Sequence, residues 1–230
     1  MNLLKKIFWV FVLFATVIKQ SAATELEYKC SEIYEDNAPE VVITYNYGQL
    51  KYDNSKTTEE LGEMYKSINA GQSAENINGL TSLEPQFTTR VSVDAAMLDE
   101  ETFCLYPQRI EIKIWYNPTI YIINTLKPGT CRFNTTVRHE QTHLDLGHHA
   151  LFLFAKSLRE AESEILSSVS PVMEKAATAD GDKIVKNMTD AYHEKVMVYF
   201  EKFKGNLKKY NDAIDTHENY IDETNLCKGE

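Results

Sequence analysis

From residue 41 to residue 123 apolar side chains tend to recur at every second position, and beyond residue 131 at every third or fourth. The first period is that of half-buried strands, the second that of helices packed on one face. Val41 to Tyr47 is β-branched and aromatic, Gly48 offers a turn, and Leu50 to Asp53 continues the pattern. Thr57-Thr58-Glu59-Glu60 is a capping box, and Leu61, Met64, Tyr65 and Ile68 follow at helical spacing until Gly71. After a polar Asn/Gly loop, Phe87, Thr89, Val91 and Val93 alternate, as do Ile110, Ile112 and Ile114 around Glu111 and Lys113. Thr119 to Ile123 resumes the strand beyond Pro118.

Lys127-Pro128-Gly129-Thr130 is the hinge between the two periods. A long helix is predicted from about Thr135 toward Ser168, stopped by Ser170-Pro171, and Glu174 to Asp182 is predicted to be a loop. A second helix carries Met188, Tyr192, Val196, Tyr199, Phe200, Phe203, Leu207, Tyr210 and Ile214 as one apolar stripe. No internal repeat is present. The pattern predicts an α+β fold: a small, mostly antiparallel sheet with one short helix, then two long helices. It divides residues 24–230 into a sheet-rich half (24–130) and a helical half (131–230) of a single domain.

The first 23 residues change what the rest must be. Lys5 and Lys6 precede an apolar run from Ile7 to Ile18, and Ser21-Ala22-Ala23 follows. That order is a secretory signal peptide cleaved after Ala23, too short in its apolar part to be a comfortable membrane span. Removing its three lysines takes the net charge from −10 to −10 − 3 = −13. So acidic a chain is a poor partner for nucleic acid or an anionic membrane surface. The expected location is periplasmic or extracellular. All four cysteines lie beyond the cleavage site, so two disulfides are expected, with Cys104–Cys131 and Cys30–Cys227 the favoured pairing.

The candidate chemistry is in Val137-Arg138-His139-Glu140-Gln141-Thr142-His143-Leu144-Asp145, which contains HEXXH. Histidines four apart on a helix project from one face about 6 Å apart, so both can reach one zinc ion. Glu140, one residue and so about 100° round, can take a proton from a water at the open coordination position. On a helical wheel Leu146, Ala150, Leu153 and Phe154 share the side of His139 and His143, which therefore face the core.

A catalytic zinc takes three protein ligands, so the motif needs one more. His217, seven residues after Tyr210, falls at the edge of the last helix's apolar stripe and is the preferred candidate; His193 lies on the opposite edge. His148 and His149 approach the spacing of a metzincin third histidine, but an unbroken helix turns them away from His139. Glu160, Glu162 and Glu164 are the gluzincin-like alternatives, Glu162 standing 19 residues after His143.

The segment from His139 to Asp145 resembles the HEQXHFD signature of a bacterial family of predicted secreted zinc-dependent proteases, catalogued as a domain of unknown function. Tyr52-Asp53 followed by Thr57-Thr58-Glu59-Glu60-Leu61 is similar to the family's early strand and TXXEL helix start, and the resemblance runs from about Thr44 to Glu218. The family's YDXXTXHG segment is partly matched: Asp212 and His217 fit, while Asn211, Asp215 and Glu218 depart, and Leu144 replaces a phenylalanine. The resemblance implies a zincin-like metallopeptidase with a peptide or protein substrate, and makes Asp145 a residue that orients a ligand. Such an enzyme would hydrolyse peptide bonds with water activated by Zn2+ and with Glu140 as general base. The extended segment Ile110 to Tyr116 is the expected sheet edge for substrate. Two other readings stay open: a non-catalytic exported zinc-binding or interaction protein, and a zinc amidase acting on cell-wall peptides. Oligomeric state is not legible.

Overall fold

The computed structural model describes residues 24–68, 77–177 and 179–228, and of His217, Tyr220 and Glu223 the backbone only. The expected signal peptide lies outside the described residues. The elements are α1 (24–36), β1 (Glu40–Asn46), β2 (Lys51–Asp53), α2 (Thr58–Ile68), β3 (Gly79–Ser82), β4 (Gln86–Met97) and β5 (Thr102–Trp115). After them come β6 (Thr119–Ile122), α3 (Cys131–Glu160), α4 (Glu162–Leu166), β7 (Val172–Lys175), α5 (Gly181–Ile214) and α6 (His217–Leu226). The fold class is α+β. Strands form one sheet of order β1-β5-β4 in which β7 also pairs with β5, and a second of order β2-β6-β3. No described helix is long and apolar enough to cross a membrane.

The chain divides into two compact units. The first comprises Met1–Val42, described from residue 24, with Thr89–Glu111 and Ser163–His193. The second comprises Ile43–Thr88, Ile112–Glu162 and Glu194–Glu230. The boundary does not fall at residue 130, where the hydrophobic period changes.

In the first unit α1 buries Cys30 against Leu98, Cys104 and Tyr106, with Met173 of β7 packed on the cluster. The disulfide Cys30–Cys104 lies within it. β7 occupies part of the segment expected to be a loop, because Val172 to Lys175 adds an antiparallel ladder to Leu105 to Thr102. Its ladder is continued by the Ala176 N–H, which donates to Glu101 O (2.8 Å).

In the second unit β6 is the middle strand, parallel to β2 and antiparallel to β3. The capping box forms: Glu60 N–H donates to Thr57 Oγ1 (3.2 Å) and Thr57 N–H to Glu60 Oε2 (2.8 Å). It starts α2, whose Leu61 is fully buried with Leu80 and Ile123. The second disulfide, Cys131–Cys227, lies here, so each bridge closes within its own unit and the expected Cys104–Cys131 and Cys30–Cys227 pairing is corrected. Nearness in sequence to the strand-rich segment was the wrong guide.

Two further expectations change. Ile110 to Tyr116 is no sheet edge, because β5 lies between β1 and β4. Ile110, Ile112, Ile114 and Tyr116 are all at most 1% exposed, since alternation marks the buried face of a strand and says nothing about its edges. The second long helix also stops at Ile214, so the stripe argument that placed His217 no longer applies; His217 opens a new helix capped by Thr216. The first long helix starts at Cys131, where Thr130 Oγ1 accepts from Phe133 N–H, and ends at Glu160.

Candidate metal centre

α3 carries Cys131, Thr135, His139 and His143 at four-residue intervals, one ridge of a helix. Thr135, His139, Glu140 and His143 are all less than 9% exposed, so the wheel placed the motif on the correct side. α5 runs back along α3: Phe200 and Phe203 meet Phe154, Asn211 meets His143, and Asp215 just beyond the helix end meets His139. The apolar contact between the helices becomes polar on both at the same level. This places two histidines and a carboxylate together.

The Nε2 atoms of His139 and His143 are 3.1 Å apart, and Asp215 Oδ1 lies 3.1 Å from the first and 2.9 Å from the second. His139, His143 and Asp215 could hold a metal ion and form the one such group among the described residues. Two imidazoles and a carboxylate are donors of the kind that divalent metal ions such as zinc take. Bonds of 2.0–2.1 Å at tetrahedral angles place donors about 3.3–3.4 Å apart, so a few tenths of an ångström of relaxation would admit the ion. The second nitrogen of His143, Nδ1, faces Asn211 Oδ1 at 3.1 Å. With Nδ1–H donating there, Nε2 keeps its lone pair for a cation, as metal-bound histidines require. Burial lowers the pKa of His143, but its bond to Asp215 and the Glu140 charge outweigh this and raise it. The site thus attracts positive charge.

Glu140 points elsewhere, toward β3. Thr81 Oγ1 lies 2.8 Å from Glu140 Oε2 and 2.9 Å from the Glu140 carbonyl, to either of which its one proton can be donated. Burial raises the carboxyl pKa, opposed by His143, the Thr81 hydrogen bond and His139. A desolvated carboxylate is a stronger base than one in water. Gly79 makes its space: a Cβ there would sit 2.6 Å from Glu140 Oε1 and 2.8 Å from Thr136 Cγ2. Glu140, His143, Asn211 and Asp215 open onto a cleft of about 150 Å³, walled across by Tyr65 and Ile68 of α2 and by Leu80.

The group formed among the described residues does not include the other candidates. His148 packs its ring on Tyr47 (4.3 Å) and Tyr116 (5.9 Å), and burial lowers its pKa. His149 is exposed, with its ring 6.4 Å from that of Tyr210. Glu160, Glu162 and Glu164 are exposed, and His193 belongs to the first unit. Asp145 is exposed and its charge acts on His148 and Tyr116; the residue that orients a histidine is Asn211. The side chain of His217 lies outside the described residues. Asp215 and Asn211 carried a signal in the sequence, being four apart where the apolar stripe of α5 ends. Thr81 and Gly79 carried none. Comparison with protein-family models, with curated proteins and with solved structures gave no match.

Proposed function

We propose that the chain is an exported, zincin-like zinc hydrolase that cuts peptide bonds. The observation that carries this is the meeting of two buried imidazole nitrogens and a half-buried carboxylate oxygen within 3.1 Å of one another beside a buried carboxylate, at an open cleft. His139, His143 and Asp215 would hold a zinc ion, which would supply a Lewis acid to polarise a carbonyl and make water acidic near neutral pH. Glu140 accepts the proton of the attacking water and returns it to the leaving nitrogen. Thr81 holds that carboxylate in place, and Asn211 fixes the tautomer of His143. β3 is an edge strand of its sheet and contributes Gly79, Leu80 and Thr81 to the cleft, so an extended substrate lies nearer β3 than β5. The three donors that meet among the described residues, where a structural zinc takes four, favour catalysis over a structural role. Two disulfides suit an oxidising compartment outside the cytoplasm.

The test is hydrolysis of a peptide mixture by the mature chain, read by mass spectrometry. Removing metal with a chelator abolishes cleavage, and one equivalent of Zn2+ restores it. An undiminished rate in the metal-free chain would overturn the proposal.

A further inference from the structure

Ala150, Leu153 and Phe154 of α3 face Phe203 of α5 across a groove of about 350 Å³, all within the second unit. The stacked rings of Phe154 and Phe203, both buried and with centres 5.0 Å apart, form its floor. Walls of this kind hold apolar matter better than water. Ser157, Lys202 and Asn206 add a hydroxyl, an ammonium and an amide at the rim, where Lys202 and Asn206 are exposed and Ser157 is half-buried. Among the described residues Lys202 is the one charged group that lines the groove. Its ammonium lies over the Tyr199 ring, 5.2 Å from the centre. Lys186, Lys204 and Lys208 of the same helix are each paired with a carboxylate, whereas Lys202 makes no ion pair among the described residues. In a chain of net charge −10, a cation left without a carboxylate at the mouth of an apolar groove complements an anion that a ligand brings.

We propose that the groove between α3 and α5 binds a small apolar carboxylate, its hydrocarbon on Phe154, Phe203 and Leu153 and its head on Lys202. One ammonium with one amide and one hydroxyl matches a single carboxylate, while a phosphate dianion would keep unmet charge. An apolar cavity of about 150 Å³ takes one benzene, so about 350 Å³ admits roughly a dozen heavy atoms. A straight-chain acid of about eight to ten carbons fits that size. Leu153 falls about 140° round α3 from Glu140, so the groove and the metal cleft open on different sides of that helix. The two share no described residue, and binding in the groove needs no metal.

The test titrates the full mature chain with octanoate and with octanol by isothermal calorimetry. One octanoate binds per chain. Lys202→Gln weakens octanoate about fivefold, the upper end for an exposed ion pair, and leaves octanol unchanged. Lys204→Gln, which removes a lysine already paired with Glu201, changes neither. Leu153→Trp fills the groove and removes binding of both ligands. If that variant loses its melting transition, Asn206→Trp, at an exposed rim position, is expected to do the same. Octanoate that does not saturate, or an equal loss from Lys202→Gln and Lys204→Gln, overturns the assignment. So does octanoate binding retained in a tryptophan variant that melts as the parent does. A parent chain that is dimeric, becomes monomeric in Leu153→Trp and binds no octanoate also overturns it, and gives the groove to a second copy of this chain.

Discussion

Glu140→Gln retains one zinc per chain and loses about 10²–10⁴-fold in kcat, the usual contribution of a general base. The exchange is nearly isosteric, so the space left by Gly79 is still filled. A glutamine oxygen can still accept the Thr81 proton, as Oε2 does at 2.8 Å. What disappears is basicity. The buried carboxylate has its pKa raised chiefly by desolvation, so removing the acid also removes the cost of burying charge, and the thermal midpoint stays level or rises. Steady-state peptide hydrolysis, zinc content and a melting curve on one preparation check this. A kcat within fivefold of the parent's would show that Glu140 is not the base.

Asp215→Ala is expected to weaken zinc binding by more than the 10–100-fold typical of a residue that only supports a ligand. Asp215 Oδ1 approaches both imidazole nitrogens, at 3.1 and 2.9 Å, and without it the group among the described residues keeps two donors. His217→Ala tests the third ligand expected from the sequence. The two variants form a direct comparison by competitive titration. The reverse outcome, a loss with His217→Ala and none with Asp215→Ala, would move the third ligand into α6.

Much of the scaffold was legible because it rests on local rules. The capping box of Thr57 and Glu60 forms as the spacing requires, and the alternation of Ile110, Ile112 and Ile114 gives a buried strand face. The wheel that put His139 and His143 with Ala150 and Phe154 holds because a continuous helix fixes direction at every residue. The losses are of another kind. Asp215 looked like a departure from a pattern, and its role depends on α5 ending at Ile214, a boundary that periodicity locates poorly. The disulfide pairing depends on which chain segments share a compact unit. Cys30 and Cys104 do, as do Cys131 and Cys227, although 74 and 96 residues separate them. Gly79 and Thr81 were invisible because a strand meeting a helix 59 residues away leaves no local trace.

The assignment of β5 as a substrate edge failed for a related reason. A strand pattern records which side chains are buried, and the partners that make a strand central come from elsewhere in the chain. β3, four residues long and read as part of no element in the sequence, is the strand that reaches the cleft.

The proposed function requires one zinc ion between α3 and the segment following α5. The most direct measurement is anomalous diffraction at the zinc edge from crystals of the oxidised mature chain grown with one equivalent of Zn2+. A single strong peak is expected about 2.0–2.2 Å from Nε2 of His139, Nε2 of His143 and a carboxylate oxygen of Asp215. Crystals with no peak there, or with the zinc held by other residues, would contradict it.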